Sequence, residues 1–194
     1  FTSATNSYNT AVGFQAGLVV STGTNNTLIG GLSGDAITTG NRNTALGQSA
    51  LGATTTANDT VGIGHNALAL NTTGANNTSV GTYSLATNST GANNTAVGYS
   101  AGTAVTTGAY NTAVGALAGD ALTVGSQNIA IGYSALTSDT KGSKSIAIGE
   151  SALYTQNFTS ATDTYNVAVG ENAGMLVTTG IRNTLIGGLA GDAL

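Results

Sequence analysis

Proton-transfer catalysis needs titratable side chains that converge on one point, and this sequence offers few. His65, the one histidine, follows Gly64 with no recurring Ser or Cys partner, which marks it as a turn residue rather than a general base. Asp35, Asp120 and Asp192 recur in Gly-Asp-Ala phrases but stand far apart in the chain, too distant to share a metal ion. The 29 glycines carry no phosphate-loop pattern and precede no helix. Without cysteine there are no disulfides and no thiolate metal ligands. The residues therefore predict no enzyme, no cofactor and no metal site. Recognition is the chemistry left. Phe14, His65, Tyr83, Tyr99, Tyr133 and Glu150 follow strand-ending glycines in turns of variable identity. Aromatic side chains on rigid turns suit contact with a carbohydrate or a protein. A spacer whose turns merely face water explains them equally well.

The element that must position those turns is a repeat. A glycine falls at Gly13, Gly30, Gly47, Gly64, Gly81, Gly98, Gly115, Gly132 and Gly149, always at an interval of seventeen, then at Gly170 and Gly187. The step from Gly149 to Gly170 breaks the interval, because four extra residues are inserted near 154–163. The first residues, Phe1 to Asn9, resemble the end of an equivalent insertion. Eleven units thus make one array over residues 1–194. A unit of seventeen cannot hold a strand, a crossover helix and their loops, and no helical periodicity is visible. Each unit reads as one coil of a parallel β-solenoid with two short strands and two turns, stacked at about 4.8 Å into a rod roughly 50 Å long.

Before each glycine stands an aliphatic residue: Val12, Ile29, Leu46, Ile63, Val80, Val97, Val114, Ile131, Ile148, Val169 or Ile186. Two residues earlier stands Thr or another β-branched side chain. This alternation predicts a strand with the aliphatic residues inward, as the core. The residue between them, usually Ala, then forms an outward stripe too apolar for a solvated face, which predicts that identical rods associate along it. Four residues after the glycine the chain alternates between Gly and Leu, and three further on it compensates. Gly17, Gly34, Gly102, Gly119, Gly174 and Gly191 are answered by Val20, Ile37, Val105, Leu122, Val177 and Leu194; Leu51, Leu68, Leu85, Leu136 and Leu153 by Thr54, Asn71, Asn88, Asp139 and Gln156. One interior slot that admits one large side chain explains the pairing. Asn recurs four residues before the glycine in nine units, which predicts an amide ladder along the rod.

Composition narrows the partners. Only 6% of residues are charged and 40% are hydrophobic, which suits an ordered chain rather than a disordered one. A net charge of -4 with four basic residues cannot neutralise a phosphate backbone, so no nucleic acid is expected. No apolar run could span a bilayer and no signal peptide is recognisable, so this segment is not expected to be membrane-embedded. A start on Phe rather than Met suggests a window from a longer protein.

The phrases "KSIAIGESAL" and "QNIAIGYSAL", beside the many "NTAVG" units, resemble the head repeats of YadA-like trimeric autotransporter adhesins, and similar repeats recur in bacteriophage tail-fibre proteins. The likeness covers the whole chain on about five to eight residues per coil and gains its strength from recurrence. It implies a left-handed parallel β-roll, a homotrimer around one axis, and display at a cell or virion surface for attachment to a host glycan or protein. The coil here is longer than the usual adhesin head repeat, and no membrane anchor or coiled-coil stalk lies in the sequence. The alternative is an ice-binding threonine-rich β-solenoid, from the pairs Thr38-Thr39, Thr55-Thr56, Thr72-Thr73 and Thr106-Thr107. Adjacent strand residues face opposite ways, so each pair gives one outward column rather than the two a flat array would want.

Overall fold

A β-branched pair flanking one small residue is the local signal for a short extended segment, and the chain uses it once per turn. The computed structural model describes residues 6–192. Its strands are β1 (Thr10–Val12), β2 (Thr27–Ile29), β3 (Thr44–Leu46), β4 (Val61–Ile63), β5 (Thr78–Val80), β6 (Thr95–Val97), β7 (Thr112–Val114), β8 (Ile129–Ile131), β9 (Gly142–Ser143), β10 (Ile146–Ile148), β11 (Thr162–Asp163), β12 (Val167–Val169) and β13 (Thr184–Ile186). Eleven of them, all but β9 and β11, form one parallel sheet in chain order. Like residues pair with like: Thr10 opposes Thr27, Ala11 opposes Leu28 and Val12 opposes Ile29. The protein is an all-β parallel β-solenoid with a turn of about seventeen residues, and among the described residues there is no helix. Among the described residues the expected second strand forms in only two coils, as β9 and β11. The far side is held instead by a column of hydroxyls from Ser21 to Thr123, each donating to the carbonyl of its counterpart in the next coil at 2.8–3.2 Å.

The sheet faces the opposite way from the sequence expectation. Its middle residues, Leu28, Ala45, Ala96, Ala130, Ala147 and Ala168, are buried in the coil. The eleven aliphatic residues expected inward, Val12, Ile29, Leu46, Ile63, Val80, Val97, Val114, Ile131, Ile148, Val169 and Ile186, stand on the outer face, half-buried or exposed. The interior is too narrow for a second row of branched side chains beside its leucines. Small residues therefore take most strand positions that point in, Leu28 and Leu185 entering only where Gly17, Gly34 and Gly174 leave room, and a second inner column, Ala50, Ala67, Ala101, Ala118, Ala135, Ala152 and Ala173, is small and buried.

The Gly and Leu alternation is a volume exchange. Leu51, Leu68, Leu85, Leu136 and Leu153 are at most 1% exposed. Where Gly replaces them, the aliphatic residue three places on fills the space. A Cβ added at Gly119 would lie 3.1 Å from Leu122 Cδ1, while one at Gly34 would lie 2.9 Å from Ile37 Cδ1 and 2.7 Å from Leu28 Cδ2, so a strand leucine shares the space there. Ile37, Val105, Leu122 and Val177 are buried; Leu194, the last of that series, lies outside the described residues. The polar answers are buried as well, and the asparagines have partners of their own. Asn71 Nδ2 donates to the Gly74 carbonyl at 3.0 Å, and Asn88 Nδ2 donates to Asn71 Oδ1 and the Gly91 carbonyl, both at 3.0 Å.

The amide column stitches side chain to backbone more than amide to amide. Asn94 Nδ2 donates to the Gly108 carbonyl at 2.9 Å, while its Oδ1 accepts the Asn111 N–H at 2.9 Å. Asn43, Asn77, Asn111 and Asn128 repeat both contacts. Each such Asn satisfies one buried donor and one buried acceptor of the overlying coil, groups that would cost about 1–3 kcal/mol each if stranded. Direct amide contacts within this column occur at Asn26 to Asn9 (3.2 Å) and Asn183 to Asn166 (3.1 Å).

The insertion is ordered. Strand β11 pairs in parallel with β9, and Phe158 is buried. The buried Asp139 carboxylate organises it. Oδ1 accepts the N–H of Gly142 at 2.9 Å and of Phe158 at 3.1 Å, and Oδ2 accepts Gln156 Nε2 at 2.6 Å. Gln156 passes the network on to Ser145 and Asn166. Phe158 to Thr162 repeats the sequence of Phe1 to Thr5, which lies outside the described residues.

Candidate interaction surfaces

Three columns of side chains on the rod's surface bear on recognition. The first is the outer sheet face, where the unbroken aliphatic column runs beside a second column of Thr, Val and Ile. In the interior coils Leu46 is 45% exposed and Val97 38%, and no charged residue stands in either column. With eleven strands of three residues spaced about 4.8 Å apart, the face covers about 500 Å². That is smaller than one partner's share of a standard-size interface and in the range of an exposed patch that marks an interaction site.

The second column is the turn after each strand. Phe14, Tyr83, Tyr99 and Tyr133 are exposed and His65 is half-buried. The structure brings two of these together. His65 and Tyr83 meet edge to face, with ring centroids 5.3 Å apart and planes at 81°, and Asn66 Nδ2 lies 3.3 Å from His65 Nε2. Phe14 and Tyr133 stand far along the rod from that pair. Glu150 is exposed.

The third column is the turn before each strand, which the sequence did not single out. The fifth residue before the glycine is Tyr8, Asn25, Arg42, Asp59, Asn76, Asn93, Tyr110, Gln127, Lys144, Tyr165 or Arg182, and all eleven have φ between 50° and 63°. None is Gly, although that conformation favours Gly. Two ion pairs lie on this column. Arg42 grips Asp59 through Nε and Nη2 at 2.6 and 2.7 Å. Lys144 Nζ lies 2.6 Å from Asp163 Oδ2, 3.1 Å from Tyr165 Oη and 5.1 Å from the centre of that ring. The hydrogen bond from Arg42 holds the Asp59 carboxyl below its usual range, and the bond to Asp163 raises Lys144. Both pairs are solvent-exposed, where ion pairs add little stability.

The titratable groups do not converge. Burial pushes the Asp120 carboxyl up, opposed by the hydroxyl that Thr137 donates to it. Asp35, Asp120 and Asp192 remain in separate coils. Among the described residues no three His, Cys, Asp or Glu side chains are grouped to hold a metal ion, and no helix is long and apolar enough to cross a membrane. In each threonine pair the first hydroxyl is engaged by the overlying coil, and Thr39, Thr56, Thr73 and Thr107 form a single exposed column. No family model, curated protein or solved structure matches the chain.

Proposed function

We propose that this chain is a non-enzymatic segment of a surface fibre, in which identical rods associate through the outer sheet face and present their turns for attachment. The observation that carries the reading is the uninterrupted aliphatic column from Val12 to Ile186 on that face. An apolar column that runs unbroken along the whole sheet and carries no charge is the kind of exposed patch that marks an interaction site. A second copy is the fitting occupant, because the column repeats with the coil and so matches itself when two rods run side by side. The likeness of the repeats to YadA-like heads and tail fibres supports three chains around one axis and a place outside the cell or on a virion. With few cations, an overall negative charge and no gathered catalytic groups among the described residues, neither nucleic acid nor a reaction is part of this reading.

Charging the face tests it. Val97→Lys combined with Val114→Lys places two ammonium groups in the middle of the column, on strands β6 and β7, without touching the coil interior. Sedimentation should show the wild-type assembly falling to single chains with unchanged far-ultraviolet circular dichroism. An assembly that survives both lysines would show that copies meet elsewhere.

A further inference from the structure

We propose that the turn before the sheet, from Asn76 to Gln127, is a ladder that binds a neutral, extended polysaccharide chain lying along the rod. The inference names the partner of the attachment reading and rests on it, since other copies then cover the sheet face and leave this turn free. The composition of the column is the first argument. In a chain with 29 Gly, and rich in Ala, Ser and Thr, none of these small residues stands at any of its eleven positions. Three of the four basic residues and three of the seven tyrosines stand there. Side chains this large, facing solvent, add nothing to the interior.

The middle of the column is uncharged. Asn76, Asn93, Tyr110 and Gln127 occupy four successive coils between the Arg42 pair with Asp59 and the Lys144 pair with Asp163. All four are exposed, Tyr110 by 63%. Their backbones are fixed, because each N–H donates to the preceding coil: Asn76 to Asn58, Asn93 to Ala75, Tyr110 to Ala92 and Gln127 to Ala109, at 2.9–3.1 Å. The positions are thus set before any ligand arrives, which lowers the cost of binding. Alanine precedes three of the four, at Ala75, Ala92 and Ala109, so nothing bulky stands beside the ladder there.

Chemistry selects the ligand. Each amide both donates and accepts, as sugar hydroxyls do, and the exposed Tyr110 ring offers an apolar face with a polar tip. Coils spaced about 4.8 Å apart present one such group per rung, close to the sugar-to-sugar repeat of a flat β-linked glycan. An anionic polymer fits worse, because the cations Arg42 and Lys144 already hold aspartates and the chain is net negative.

The test is calorimetric titration of the assembled chain with cellotetraose and with chitotetraose, its native mass being measured on the same sample. At least one sugar should bind saturably. Tyr110→Gly and Asn93→Gly, which suit the positive φ, should each weaken binding at least about tenfold with mass and unfolding temperature unchanged, whereas Tyr133→Ala on the opposite turn should leave binding intact. An assembled chain that binds neither sugar, or one whose binding falls with Tyr133→Ala and not with Tyr110→Gly, overturns the ladder and leaves the fibre standing. A single-chain species strikes the fibre reading, and the ladder is still decided by the titration.

Discussion

Gly98→Ala should destabilise the protein by about 3–6 kcal/mol, the sum of an unsuitable backbone conformation and a collision that cannot relax. At φ 137° an L side chain is strained whatever the space around it. The new Cβ would also lie 2.6 Å from both the carbonyl carbon and oxygen of Gly115 in the next coil. That neighbour is backbone held on both sides by the ladder, so no flexible side chain can swing away. For a chain of this length the loss should lower the unfolding temperature by roughly 10 °C or more. Thermal denaturation showing no loss would mean that the stacked backbones do not require glycine.

Leu68→Gly should cost about 2–4 kcal/mol, because removing a fully buried leucine forfeits its transfer free energy and leaves a cavity. Even when the methyl of alanine remains, such a loss is about 2–5 kcal/mol. Part returns, because Leu68 sits at φ 53°, where glycine is at ease. Adding Asn71→Val should recover about 1 kcal/mol or more, since Val105 and Val177 show that an aliphatic side chain at that position packs across a glycine coil. Recovery is partial because Asn71 also serves Gly74 and Asn88, and those bonds are lost. Chemical denaturation of the four members of the cycle reads the coupling directly. If the two losses simply add, the residues do not share a slot.

These two sites also show what could be read from residues alone. Gly98 was legible as a required glycine because it recurs at a fixed interval, although it reads as the end of a strand rather than as close backbone approach, and Leu68 with Asn71 because a volume constraint writes itself into paired positions. The direction of Ala96 and Val97 was not legible. Alternation separates two faces of a strand without saying which is inside, and here the width of the coil decides in favour of the smaller residue. In the sequence Asp139 reads only as the polar answer to Leu136, since the N–H groups of Gly142 and Phe158 that donate to it converge only once the insertion has folded over it. The ladder through Tyr110 was hidden for a related reason. Positive φ is usually announced by glycine, and this column contains none.

The claim on which the account turns is that the outer sheet face is covered by further copies of the same chain. Analytical ultracentrifugation of the wild-type protein measures this without reference to any ligand. The account predicts a particle of three times the 18.8 kDa chain mass at micromolar concentration. A stable, folded 18.8 kDa species would leave the aliphatic column facing water and contradict it.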